Sequence, residues 1–585
     1  MKKTIKSERN EYPRPHFKRD VWQGLNGEWE FECDDGRDGI KRGLQTGQIS
    51  FDKKIIVPFS YQWEASGVND KVRHDIIWYR RKFNVSVTKE RALLCFNAAD
   101  YETDVWINGN HAMYHKGGFT PFKADITELL KVGENTIVVR CKDTLDSTQP
   151  RGKQSWTGKP FTCFYYPNSG IWQSVWMEYF RDDCIDEYSL QSDMDNRIIY
   201  GFIDTLYGEA DELEVTLRFN DKIIKSQRFT LDGKHTDYSV KLTSIGFDFS
   251  ELLWSPETPN LIYVDFTLYK KNTVCDTTHT RIGIRKIHID EYGKICLNNR
   301  PLYQRLILDQ GYWNESGLTP PSADALKKDI ELSKAMGFNG ARKHQKLEDP
   351  YYYYYAEEMG FLVWAEMPSA YTFCEKEVQN ITNEWHEIVK YAKNFTSVIA
   401  YVPLNESWGA SEIKTSKAQQ NFAKGLYYLT KSVDGTRLIS TNDGFETIEE
   451  SDIVGIHDYE IKADNEFSEK YNGKYDGMFP QGTALFADGN KYRGQPILFT
   501  EFGGMAFNDE QNEKDWGYGS GAKNADEFLE RLDTLIKGIV QTEFQGYCYT
   551  QLTDVQQEIN GLLYADRSPK ADLKKLKTIF KAIKK

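Results

Sequence analysis

The chain is poor in the features that mark several large classes of protein. No apolar run approaches the roughly 18 residues that identify a membrane-spanning helix. The opening MKKTIKSERNEYPRPHF is basic but has no apolar stretch behind it, so it does not read as a signal peptide. Positive charge is in deficit, 74 Lys and Arg against 87 Asp and Glu, a net −13. That balance removes the basic footprint of a nucleic-acid binder. None of the nine cysteines forms a C-x-x-C pair, and an odd, scattered set reads as buried free thiols, not as disulfides or a zinc site. There is no G-x-S-x-G elbow, no H-E-x-x-H and no Walker loop. The expectation is a soluble, cytoplasmic protein with no membrane or nucleic-acid partner, no cofactor and no catalytic metal. Aromatics are plentiful: 14 Trp, 35 Tyr and 32 Phe. Such rings pack β-cores and also serve as stacking faces for sugars.

At 585 residues, three or four domains are expected. The first 285 residues read as short alternating strands such as NGEWEFEC (26–33), punctuated by Asp-Gly and Gly-Asn turns. This pattern predicts a jelly-roll β-sandwich over 1–182. An immunoglobulin-like sandwich of about seven strands is predicted over 183–288. Tyr179–Glu187 reads as the linker. Beyond residue 288 the period changes, and strands alternate with helices such as ADALKKDIELSKAM (323–336). Eight strands are expected, with only a short helix (447–451) after the fifth. That is the pattern of a (β/α)₈ barrel over 289–585. The five tyrosines at 351–355 are expected to straddle a helix start.

Barrel chemistry gathers where strands end at the C-terminal face. Glu406 closes the fourth strand in VIAYVPLNESWG, and Glu501 closes the seventh in PILFTEFGG. Either could be simply the first solvated position after a buried strand. Their neighbours argue otherwise. Asn405 offers a neutral amide to a sugar hydroxyl, and Gly503–Gly504 lets the backbone turn close to a ligand. Paired carboxylates across a barrel mouth are what glycoside hydrolysis requires. His344 and His457 also lie at strand ends, each readable as a sugar contact or a structural hydrogen bond. His111 and His115 are four apart but fall in a predicted β region, so chance accounts for that spacing.

At these residues the sequence resembles glycoside hydrolase family 2, the β-galactosidase, β-glucuronidase and β-mannosidase group. DVWINGNHAMYHKGGFTPF and SGIWQSVWMEY resemble strands of that family's jelly roll. GFNGARKHQK and MGFLVWAEMP are similar to its second and third barrel strands, NESWG to its acid/base motif and TEFGG to its nucleophile motif. The resemblance implies a retaining, exo-acting mechanism with Glu406 as acid/base and Glu501 as nucleophile, carboxyls about 5–5.5 Å apart. It also implies a bond from Asn405 to the substrate 2-hydroxyl and a tendency to form homo-oligomers, for which no interface patch stands out.

Departures from the family pattern shape the expected substrate. Where glucuronidases carry an Asn-x-Lys pair that grips the sugar carboxylate, this chain reads Glu558-Ile559-Asn560. A carboxylate there repels a uronate, although Arg342, Lys343 or Lys346 could supply another cation. The stretch MPSAYTF lacks the Glu-x-His magnesium ligands of large β-galactosidases. The jelly-roll aspartate that reaches the site in some members falls at about Phe164. Asp309, Tyr312 and Trp313 follow the first strand where better-known members have Asn and His. Tyr549 is the nearest equivalent of an eighth-strand aromatic. Trp364, Trp408, Tyr459, Tyr312 and Trp313 are candidates for a stacking platform or for core plugs. A 38-residue stretch, 458–495, suggests a substrate-facing lid, and the aromatic segment 151–168 either reaches the mouth or packs between domains. A carbohydrate substrate is expected, a β-galactoside first. An arabinoside, a β-uronide or a catalytically silent carbohydrate-binding protein are the alternatives.

Overall fold

In the computed structural model the described residues are 9–582, apart from 87–89, 244, 247, 462, 472, 474, 479 and 508–514. The N-terminal region folds as two facing antiparallel sheets, of four and six strands. Gly27–Cys33 (GEWEFEC) shows why: its period of two sends Trp29 and Phe31 inward and leaves the glutamates outside. A second pair of sheets, of three and four strands, spans Ile185–Ile282. In Glu212–Phe219, Leu213, Val215, Leu217 and Phe219 fill the space between them. The expected linker is shorter than the sequence suggested, because Val175–Phe180 and Ile185–Asp193 are both strands and only 181–184 separate them.

The C-terminal region is an eight-stranded, curled parallel sheet. Its strands in chain order are Gln304–Asp309, Gly340–Lys343, Leu362–Glu366, Val398–Val402, Leu438–Ile439, Val454–His457, Ile497–Glu501 and Gly546–Tyr549. The first and eighth pair with each other. The fifth and sixth are the two edges of the sheet. A short parallel pair, Leu404–Asn405 with Asn442–Asp443, prolongs the fourth and fifth strands at the mouth. Strands covered on both faces must be apolar on both, and here alternation sorts the side chains. Leu306, Leu308, Leu362, Trp364, Ala400, Val402, Leu498 and Cys548 share one core cluster inside the sheet. Ile307, Ala341, Val363, Ala365, Tyr547 and Tyr549 belong to the larger cluster beneath the helices.

Helices follow every strand except the fifth; residues 447–451 form none. The tyrosine run lies wholly within Pro350–Met359 and does not straddle its start. Asp349 caps that helix by accepting from the Tyr351 amide, and Pro350 occupies the first turn, where no amide is needed. Among the described residues of 458–495 the chain forms one α-helix, Asp464–Lys470, and a short 3₁₀ turn, Pro480–Gly482. Among the described residues no helix is long and apolar enough to cross a membrane.

Candidate active site

Glu501 is the last residue of the seventh strand, and Glu406 follows the short strand Leu404–Asn405. Glu406 has a left-handed backbone (φ 48°), as does Ser407 (φ 59°), an arrangement that non-glycine residues adopt only when their surroundings impose it. The imposition is visible. The Glu406 amide donates to Asp443 O (2.9 Å), that of Ser407 to Asn442 Oδ1 (3.0 Å) and that of Trp408 to Asn405 O (2.9 Å). This turn presents Glu406 toward Glu501. One ligand atom each from Glu406, His457 and Glu501 lie within 4.8 Å of one another. Glu406 is the more open carboxylate, 17% exposed against 7% for Glu501.

Arg342, fully buried on the second strand, ties the cluster together. It donates from Nε to Glu366 (2.6 Å), from Nη1 to Glu501 Oε1 (2.8 Å) and from Nη2 to Asn405 Oδ1 (2.5 Å). Its Nη1 also stands 3.0 Å from Asp443. His457, at the end of the sixth strand, contacts Glu406 Oε1 through Nδ1 (2.7 Å) and Asp443 Oδ2 through Nε2 (3.0 Å). Burial alone would lower its pKa, but Glu501, Asp443 and Glu406 outweigh burial and push it up to about 10. The same burial would raise Asp443, yet Arg342 and His457 hold it well below the usual carboxylate range. Glu366 goes the other way: burial exceeds the pull of Arg342 and lifts it to about 7. His344 stands 2.9 Å from Glu366 without hydrogen-bond geometry. Burial first, then Arg342, push its pKa down. Glu406, His457 and Glu501 could also reach one metal ion. Arg342 and a protonated His457 already supply positive charge to the same oxygens, which disfavours a further cation.

Six of the residues singled out from sequence as substrate contacts are in or beside this cluster. Asn405 spends its oxygen on Arg342, which can only donate, and that leaves its buried Nδ2 with no partner. Tyr459 donates to Glu501 Oε2 (2.6 Å) and stacks on Tyr518, ring centroids 3.5 Å apart. Trp408 follows Glu406 at the mouth, with His344 edge-on to it. Glu558 accepts from Tyr165 (2.6 Å) and Asn560 (3.0 Å), so both its oxygens are occupied.

Three others are not in the cluster, two because side chains alternate along a strand and one because it lies too deep. Asp309 faces outward, where Lys343 holds it at 2.9 Å. Tyr549 also faces outward and packs on Phe502 and Phe580. Trp364 faces inward but deep in the sheet, its indole donating to Gln304. It is a core plug and takes no part in a sugar platform. Lys343 and Lys346, suggested as cations for the site, both pair with Glu348. Gly503 and Gly504 have left-handed φ, and a tyrosine ring lies close against each. Added Cβ atoms would come within 2.4 Å of Tyr549 and 2.5 Å of Tyr518.

The segment 151–168 does reach the barrel. Arg151 and Gly152 donate amides to Ser369 O (3.0 and 3.1 Å), and a Cβ on Gly152 would sit 2.2 Å from Gln345 O. The docking brings Phe164 against Trp408 (5.2 Å) and Tyr165 to Glu558. It also delivers Lys153, which composition and spacing gave no reason to single out. Asp443, in the unremarkable TNDG, was likewise missed; only its proximity to a strand end could have marked it.

Residues 22–177 match the sugar binding domain of glycosyl hydrolases family 2, residues 199–285 a second family 2 domain and residues 287–585 its TIM barrel domain. The chain belongs to glycosyl hydrolases family 2. Among curated relatives, a β-galactosidase of Thermoanaerobacter pseudethanolicus is 26% identical over 57% of this chain and 45% of its own. A β-glucuronidase of Rattus norvegicus is 24% identical over 74% of this chain and 68% of its own. The chain spans about half the length of the first curated relatives it matches. A structure of Ruminococcus gnavus β-glucuronidase in complex with D-glucuronic acid superposes with a TM-score of 0.77. Its sequence is 21% identical, over 98% of this chain and 99% of that one. At that identity the likeness is one of fold.

Proposed function

We propose that this chain is a retaining, exo-acting β-glycosidase with Glu501 as nucleophile and Glu406 as acid/base. The observation that carries the reading is the approach of the two carboxylates to within 4.8 Å. That spacing suits a covalent glycosyl-enzyme and is too close for a water to stand between them, as inversion requires. Glu501 attacks the anomeric carbon while Glu406 gives its proton to the departing glycosidic oxygen. Water then loses a proton to Glu406, bonds to the anomeric carbon and releases Glu501 as a carboxylate. Arg342 and Tyr459 each donate a hydrogen bond to Glu501 and orient its carboxylate. The unpaired Nδ2 of Asn405 is a donor for a sugar hydroxyl beside the anomeric carbon.

The neutral glycone favoured by the sequence is β-galactose. A β-uronide gains support from one specific observation, a buried lysine at the mouth. Hydrolysis of a nitrophenyl glycoside panel by the native chain and by Glu501→Gln tests the reaction. Turnover of at least one glycoside is expected, falling by about 10⁴-fold or more in the variant. Full turnover in Glu501→Gln would overturn the assignment.

A further inference from the structure

We infer that Lys153, contributed by the N-terminal domain, is the specificity determinant that makes this pocket select a glycone bearing a carboxylate. The inference rests on the hydrolytic reading of Glu406 and Glu501 and names the substrate class for that site.

Lys153 is 5% exposed, and its position is fixed by the chain on both sides. The preceding amides are held by Ser369 O, and its own carbonyl accepts from the Tyr165 amide (2.8 Å). Its Nζ lies over the Trp408 ring (5.1 Å to the centroid) with Phe164 (5.7 Å) and Tyr165 (5.8 Å) as the other walls. Trp408 is two residues from Glu406, so the ammonium belongs to the mouth and not to a remote crevice. Among the described residues no carboxylate oxygen comes within 4.0 Å of it. The Cys163 thiol is its side-chain hydrogen-bond partner. A buried ammonium with no bonded anion loses hydration that cation–π contacts replace only in part. Burial would lower its pKa, but Cys163, Glu558, Glu501 and Glu406 outweigh burial and keep the proton on.

The other cations of the region are already committed. Arg342 is saturated by Glu366, Asp443, Glu501 and Asn405, and Lys343 and Lys346 share Glu348. Glu558, which from sequence appeared to repel an acidic sugar, is turned onto Tyr165 and Asn560 with both oxygens bonded. The obstacle to a uronide is therefore bonded away, while one cation at the mouth awaits an anion. A neutral hexose offers it hydroxyl oxygens but no countercharge.

The test compares nitrophenyl β-glucuronide, β-galacturonide and β-galactoside on the native chain and on Lys153→Met and Lys153→Arg. A uronide is expected to be the best substrate. The ratio of uronide to galactoside kcat/KM should fall by about 10- to 100-fold in Lys153→Met, mainly through KM, and recover in part in Lys153→Arg. Competitive inhibition of the native chain by free D-glucuronate and D-galacturonate against D-galactose needs no variant to fold. Uronates should bind at least about 10-fold more tightly. Turnover of galactoside with neither uronide cleaved nor uronate preferred overturns this inference and leaves the hydrolytic reading intact. An unchanged substrate ratio in a folded Lys153→Met also overturns it. No turnover of any glycoside, with uronates raising the Tm of the native chain more than D-galactose does, would strike the hydrolytic reading and spare the role of Lys153 in binding.

Discussion

Arg342 Nη1 stands 2.8 Å from Glu501 Oε1 and 3.0 Å from Asp443 Oδ2, so one buried guanidinium serves both a candidate nucleophile and a carboxylate from the other edge of the mouth. Removing it leaves Glu366 without its guanidinium and, among the described residues, Asp443 and Glu501 with His457 as their only cation. Arg342→Met is expected to lose about 3–5 kcal/mol of stability and, where it folds, about 10³-fold in kcat. Thermal denaturation and initial rates check the two effects separately. A variant that keeps native Tm and kcat would remove Arg342 from the site.

Glu406→Gln separates the two half-reactions. A glycoside with a very good leaving group does not need the proton, so the covalent intermediate should still form and then accumulate. Steady-state turnover is expected to drop by about 10²- to 10⁴-fold. Added azide, a nucleophile that needs no general base, should restore turnover and yield the β-glycosyl azide. Azide without effect would argue against Glu406 as acid/base.

Asn405→Ala should lower kcat/KM by about 100-fold on a full glycoside. It should cost much less on the corresponding 2-deoxyglycoside, which has no hydroxyl for the lost amide. Equal losses on both substrates would mean that Asn405 acts only by accepting from Arg342.

His457 supplies a pH dependence. Its folded pKa, about 10, lies above the 6.5 of a free imidazole. Its charge therefore stabilises the fold fully below about pH 6.5, and that contribution is lost as pH rises toward 10. Between pH 6.5 and 10 the Tm of the native chain is expected to fall more steeply than that of His457→Asn. Parallel Tm profiles would show that His457 is not the group responsible.

Trp364 and Trp408 looked alike in sequence, each near the end of a barrel strand. Trp364→Ala should cost about 3–5 kcal/mol of stability, as for any large core ring, and leave the KM of folded protein close to native. Trp408→Ala should raise KM with little change in Tm. The reverse pattern would mean that the two roles are exchanged.

What the sequence determined by itself is what local periodicity and strand ends encode. The switch from a period of two to alternating strand and helix separates two β regions from a barrel. Apolar runs ending in Asn405-Glu406 and in Glu501 mark two mouth residues, because a residue at the end of a buried strand has few other places to go. The inward or outward sense of Asp309, Trp364 and Tyr549 required the strand register, since a shift of one position reverses the face. The partners of Arg342 and His457 required the curling of the sheet, which brings together residues 342, 366, 443, 457 and 501. Lys153 is the clearest case. It lies in a different domain from Glu406, 253 positions away in the chain, and nothing local distinguishes it from the other lysines. Only the docking of its loop on Ser369 and Gln345 buries it beside Trp408 and gives its charge a chemical consequence.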